Sequence, residues 1–295
     1  MSTAHATFAR ALLCTAALVL AGLQPLHAGQ PLAWETSRGD ATVYLLGSIH
    51  LLPEEAGPLP ERVETLYERA DTLVMELDLA ALDPVEFQQL VIALGQAPDG
   101  RQLADYMDDE TWAHAQALAD EAELSLQLFG GAKPWLAALT VTQLRLAQLG
   151  YSPELGLEYQ LTAWAQRDDK PVFGLETAED QLRAFDGLDE PAQVALLIES
   201  LEEAARIEEE MARLVRAWQQ GDADFLEADL LGAMRASDAL YQAVVVDRNR
   251  AWLDGIEGLL DEPGTHLVVV GALHLVGEHS VVRLLAERGL EMNPL

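Results

Sequence analysis

The chain has 295 residues, half of them apolar, with 49 acidic against 18 basic side chains, a formal charge of −31 and one cysteine. So large an acidic surplus excludes nucleic acid as the main partner, because phosphate binding needs clustered Lys and Arg, and it disfavours docking on an anionic membrane. The apolar half, with the charges interspersed, suits a folded chain with a sizeable core and not a disordered one.

Residues 1–28 carry Arg10, an apolar run over 11–23, Pro25 and then Leu26-His27-Ala28. A basic start, an apolar middle and a small residue at the end are the pattern of an export signal. The run is shorter than the roughly 20 residues a membrane span needs, although an uncleaved anchor is the alternative. The expectation is an exported protein, periplasmic or secreted, with no stable membrane insertion after cleavage. Cys14 would leave with the signal. Disulfides, a thiolate nucleophile and Cys-ligated zinc would go with it, so the chemistry must come from His, carboxylate and Arg.

Further along, apolar runs at 31–36 and 41–47 flank Ser37-Arg38-Gly39-Asp40, which predicts a β-hairpin. Helical spacing covers 59–70, and a buried strand over 72–78 is interrupted by Glu76 and Asp78. Residues 83–150 read as a helical insertion or cap, with helices over 85–94, 110–123 and 134–149. A helix over 155–167 leads to a short strand at 171–174 that runs into Leu175-Glu176. Residues 178–260 have helical period throughout, and the acidic stretch 199–210 reads as a solvated face. The most apolar strand is 266–270, followed by GALHLVGEH, a helix through about Arg288 and a closing strand near 290–292. Strands at both ends with helices between them predict an α/β protein, a mixed β-sheet core with a largely helical insertion, as one unit over 29–295.

Two segments echo each other across more than two hundred residues: VYLLGSIHLL at 43–52 and LVVVGALHLV at 267–276. Each is a buried strand, a glycine that permits close approach, and a histidine delivered to the carboxyl edge, where open α/β sheets place ligands. Imidazole there can act as a base or bind metal. The pattern predicts that His50 and His274 converge on one site. Glu76 and Glu176 sit in apolar settings where a carboxylate needs a cation, metal or donor, and Arg248, beside Asn249, is a candidate partner. Glu158, after Gly156-Leu157, is adequately explained as helix surface, as are Glu278 and His279; Trp112 and Trp135 read as core. No GxGxxG, Walker loop, GxSxG elbow or HExxH is present.

Taken in order, YLLGSIHLLP (44–53), LVMELD (73–78), YSPELGLE (151–158), KPVFGLET (170–177), DRNRAW (247–252) and VVVGALHLVGE (268–278) make the chain resemble the TraB/GumN/TIKI superfamily, specifically a bacterial GumN-like protein. Glu158 is a departure, since Asp is expected there. The resemblance implies a mixed α/β core with the two GxxH segments side by side. It matches His50 and His274 to the GxxH histidines, Glu76 to the ELD glutamate and Arg248 to the RN arginine. Relatives include metal-dependent proteases and, more distantly, an erythromycin-esterase-like hydrolase and a haem-binding lipoprotein. The leading expectation is therefore a metal-dependent hydrolase of peptide bonds. His50, His274 and Glu76 would hold a divalent ion (Mn, Co, Zn or Fe), Glu76 or Glu176 would be the general base, and Arg248 would stabilise oxyanion charge. Two alternatives stand: a metal-free esterase-type hydrolase with a histidine base oriented by a glutamate, and a periplasmic haem- or peptide-binding protein. The partner is a peptide or small-molecule substrate in either hydrolase reading.

Overall fold

The hairpin forms as its alternation dictates. Strands β1 (Ala33–Arg38) and β2 (Ala41–Ser48) pair antiparallel, with Ala33 opposite Leu46, and Gly39 supplies the positive φ of the turn. The computed structural model describes residues 29–204, 206–235 and 237–295; the export signal expected at 1–28 lies outside them. A short β3 (Leu52–Pro53) follows, then α1 (Glu61–Arg69), β4 (Thr72–Met75), α2 (Pro84–Gly95), α3 (Asp109–Glu121) and α4 (Pro134–Gln148). Next come β5 (Tyr151–Ser152), which pairs with β3, α5 (Leu157–Asp168) and β6 (Val172–Gly174). Helices α6 (Ala178–Asp186), α7 (Glu190–Ala204) and α8 (Ile207–Gln220) lead through short helical turns to α9 (Asp247–Gly258). The chain closes with β7 (Gly264–Gly271), α10 (Val281–Glu287) and β8 (Asn293–Pro294).

Six strands form one mixed sheet in the order β6-β4-β7-β2-β1-β8. The first four are parallel, and β1 and β8 run antiparallel at the far edge. Parallel strands covered on both faces read as continuous apolar runs with the two sides alternating. In β2, Tyr44 and Leu46 face a core shared with α1, α5 and α8, whereas Val43 and Leu45 face α9 and α10. In β7, Leu267 and Val269 take the first side, Val268 and Val270 the second. All four of Val268, Val269, Val270 and Leu267 are fully buried, each contributing on the order of 1.5–3 kcal/mol by burial.

Two expectations are corrected. Strand β4 stops at Met75, short of residue 78, because Asp78 caps the following turn by accepting from the N–H groups of Ala80 and Ala81. The stretch after β7 opens with a single 3₁₀ turn, Ala272–Leu275, and the helix expected through about Arg288 is α10, which starts with Ser280 as its cap. The closing strand falls at Asn293–Pro294, while Leu290 and Met292 pack into the core instead. The helical block at 83–150 also recruits α7, since Leu197 and Leu201 complete one apolar cluster with Leu103 and Val141. Trp135 is fully buried, as read from the sequence, and its indole N–H donates to Asp186 at 3.0 Å. Among the described residues no helix is long and apolar enough to cross a membrane.

Candidate functional site

Each of the four parallel strands delivers one polar residue at its carboxyl edge: β2 delivers His50, β7 His274, β4 Glu76 and β6 Glu176. The ladder carries the last two together, with Leu175 N–H donating to Met75 and Glu176 N–H to Glu76 at 3.1 Å. Gly271 is the meeting point. A methyl group on it would stand 3.4 Å from Glu76 Oε1, 3.5 Å from His50 Nε2 and 3.5 Å from His274 Cδ2. The two GxxH segments therefore do converge, and their register (Gly47 beside Val270, Ser48 beside Gly271) is what brings them together. Gly47 contributes by leaving room, since a side chain there would press on Ala272 at 3.1 Å.

Glu76 is buried and both its oxygens are engaged. Oε1 accepts from the Gly271 N–H at 2.7 Å, and Oε2 accepts from Arg248 Nη2 at 2.5 Å and Gln181 Nε2 at 3.2 Å. Burial works against its ionised form, yet His274, His50, Arg248 and the Gly271 N–H outweigh that and hold the carboxyl down at about 2. Arg248 reaches the site from the first turn of α9. Its Nη2 also donates to Glu176 Oε1 at 2.6 Å, Nε donates to both Glu176 oxygens at 3.1 and 3.2 Å, and Nη1 donates to the Val244 carbonyl at 3.2 Å. Burial pulls against the guanidinium, but the two carboxylates raise its pKa. Glu176 Oε2 accepts in addition from Trp252 Nε1 at 3.0 Å. Glu176 is thus the clamp that fixes Arg248, with no oxygen left over for a base.

His274 is 3% exposed. Its Nδ1 lies 2.6 Å from Asn249 Oδ1, while Asn249 Nδ2 donates to the His279 carbonyl at 2.8 Å. That second bond orients the amide, so His274 carries its proton on Nδ1 and keeps the Nε2 lone pair, which faces Arg248 Nη1 at 3.2 Å. Burial, helped by the positive charges of Arg248 and His50 and opposed by Glu76, lowers its pKa to about 3. At neutral pH the ring is uncharged, so His50 and Arg248 are the cations that keep Glu76 ionised there.

Glu158 overturns the reading of it as plain helix surface. It stands in the first turn of α5, is mostly buried, and accepts from Ser48 Oγ and from His50 Nδ1 (2.8 Å) on Oε1. Its Oε2 is buried with no hydrogen-bond partner among the described residues. Burial opposes its charge, but His50 and Ser48 prevail and lower its pKa. In return the Glu158 charge, acting against desolvation, raises His50 to about 9. Backbone contacts fasten this pair: Leu157 N–H donates to the Ile49 carbonyl at 3.1 Å, and Gly156 lies flat on the His50 carbonyl. One sequence signal was available, because Glu158 follows Gly156-Leu157 just as Glu176 follows Gly174-Leu175. Asn249 carried a weaker hint beside Arg248; Ser48 and Gln181 carried none. His279 and Glu278 stay peripheral, the former offering only its carbonyl to Asn249 and its Nδ1 to Tyr241.

Over this edge lies a cavity of about 410 Å³, lined on its polar side by His50, Glu76, Glu158 and Gln181. Its remaining wall is mainly apolar, including Leu77 and Leu79 after β4 and Leu139 and Leu146 from α4. His274, Arg248 and Glu176 lie behind Glu76. Among the described residues no three His, Cys, Asp or Glu side chains close together as a finished metal-ligand set. The donor chemistry nevertheless fits a divalent ion: a neutral His274 Nε2, an ionised Glu76 and His50 Nε2 surround one glycine, and each histidine is anchored through Nδ1 by an oxygen, as ligating histidines are. To ligate, His50 would give up a proton and Arg248 Nη1 would leave His274.

The model of the TraB/PrgY/gumN family matches residues 32–294. Two relatives are each 28% identical over 269 residues, covering 90% of this chain and 96% of their own: the uncharacterized protein YbaP of Escherichia coli (strain K12) and its namesake in Shigella flexneri. No solved structure matches the chain. The match spans both GxxH segments and every site residue described above, and the chain belongs to the TraB/PrgY/gumN family.

Proposed function

We propose that this protein is an exported hydrolase of peptide bonds that works with a divalent ion held by His50, His274 and Glu76. The single observation that carries the reading is the convergence at Gly271 of two imidazole rings, each oriented by an oxygen on Nδ1, with a carboxylate that is ionised at any ordinary pH. Charge supports it too. Glu76, Glu158 and Glu176 oppose only His50 and Arg248 as cations, so the cluster is net negative, and exchanging the His50 proton for a dication would balance it. A divalent ion in that place supplies Lewis acidity, polarising a carbonyl and making a water more acidic.

The chain's own groups have distinct tasks in this reading. Asn249 and Glu158 hold the two rings in the tautomer that directs Nε2 inward. Glu76 is committed to the ion and to Arg248, and Glu176 has both oxygens taken by Arg248 and Trp252, so the proton released from water is assigned to Glu158 Oε2, the carboxylate oxygen left without a partner. Arg248, clamped by Glu176 and Trp252, offers fixed positive charge to a developing oxyanion in surroundings poor in water. The leucine-rich wall receives the substrate and excludes solvent. The test is a peptide-library cleavage assay on purified protein, on chelator-treated protein and after metal is restored; cleavage should vanish and return.

A second reading is favoured by the Glu158–His50 pair itself, at 2.8 Å and open to the cavity. There His50 acts without metal as a general base oriented by Glu158, most simply on an ester. Because His50 is protonated until about pH 9, its rate would climb with pH towards that value, and a chelator would leave it unchanged.

A further inference from the structure

A second cavity, about 420 Å³, lies along the other flank of α4, and Thr142 and Leu146 line both. Its floor is apolar, with Met211 and Leu214 of α8, Phe225, and Leu273, the residue immediately before His274. Over that floor α7 projects Glu199 and Glu203, one helical turn apart on the same face. Two further carboxylates reach this cavity, and each has its own cation: Asp229 is paired with Arg213 at 3.2 Å and Glu210 with Arg206 at 3.7 Å. Among the described residues neither Glu199 nor Glu203 is paired; Arg206, the one cation that acts on Glu203, is already matched to Glu210. The neighbours that do act on the pair are acidic, Glu202 on Glu199, and Glu199, Glu210 and Glu202 on Glu203. Partly buried like charges beside an apolar floor cost stability unless a cation or a proton joins them.

We propose that this cavity is a binding site for an amphiphilic organic cation, an apolar stem ending in an ammonium or guanidinium group. The stem lies on Met211, Leu214 and Leu273, and the head is held between Glu199 and Glu203. A volume of about 420 Å³ has room for an alkyl stem of eight carbons together with its charged head. Binding here does not depend on the hydrolase reading, although contact with Leu273 places the ligand one residue from His274.

The test is calorimetric titration of the purified protein with n-octylammonium, n-octanol and octanoate, and with an acetylated, amidated Leu-Lys dipeptide. The expected result is one octylammonium per chain, octanol at least tenfold weaker and octanoate without measurable binding. Glu199→Gln/Glu203→Gln should weaken octylammonium at least tenfold while leaving octanol unchanged, and Leu214→Trp, which fills the floor, should weaken both. Binding of octylammonium alone assigns a free amine, and binding of the dipeptide as well assigns a basic side chain; both support the site. Equal affinity for octylammonium and octanol, no effect of the double substitution, or no binding of either cation would overturn it.

Discussion

Replacing Arg248 by methionine removes the one cation among the described residues that touches both Glu76 and Glu176. The guanidinium side chain is 12% exposed and each carboxylate 7%, so neither acid can recover its hydration without opening the sheet edge. Breaking a buried pair while its partner stays costs about 3–5 kcal/mol. Methionine keeps an apolar stem but not the guanidinium that sits over the Trp252 ring at 4.8 Å, so the loss is chiefly electrostatic, and with two stranded carboxylates the upper part of that range applies. With an m-value near 3 kcal/mol/M the urea midpoint should fall by roughly 1.3–1.7 M at pH 7. The pH dependence is a sharper signature. In the wild type Glu76 is held at about 2; its contribution is present above the unfolded value near 4.5 and is lost as pH falls through about 2. Without Arg248 the Glu76 carboxyl rises, the folded state binds a proton that the unfolded state does not, and the variant should gain stability as pH drops from 8 to 5. Adding Glu176→Gln should recover at least about 1 kcal/mol at pH 7. The measurement is urea unfolding of the three proteins across that range. A midpoint shift below about 0.3 M, or parallel pH profiles for wild type and variant, would refute the reasoning.

Three further outcomes follow from the same geometry. The His50 ring should titrate by NMR near 9 and fall towards its ordinary value near 6.5 in Glu158→Gln; its stabilisation is complete below about 6.5 and disappears as pH rises through about 9. His274 should show a neutral ring protonated on Nδ1 down to about pH 3, so its contribution is present above about 6.5 and lost on acidification; a doubly protonated ring at pH 5 would contradict this. Gly156→Ala would drive a methyl group into the His50 carbonyl oxygen. About 1–3 kcal/mol of destabilisation and a displaced His50 resonance should result, and an unchanged melting temperature would show that the contact is absent.

Much of this architecture was legible because parallel strands buried on both faces leave unbroken apolar runs, as in residues 267–270, and because a charge at the end of such a run has few bland explanations. That logic found His50, His274, Glu76, Glu176 and the Arg248 partner. It failed where the decisive neighbour is remote and locally ordinary. Glu158 opens an amphipathic helix, and nothing within its own turn says that Ser48 and His50 lie against it. The same limit hid Gln181, on a helix whose face is set by packing. The tight turn at Ala272–Leu275 was not legible either, since Gly47 and Glu76 approach it from neighbouring strands.

The central claim is that two distant GxxH segments build one ion-dependent hydrolytic site, and metal content tests it most directly. Elemental analysis after dialysis against Mn, Co, Zn and Fe salts should be made on wild type, His50→Ala, His274→Ala and Gly271→Ala. The last retains every proposed ligand and meets only ordinary contacts at 3.4–3.5 Å, yet sets a methyl group between them. The account predicts one divalent ion per wild-type chain and its loss from all three variants, with circular dichroism unchanged. A wild-type protein that retains no ion, or variants that keep it in full, would contradict the account.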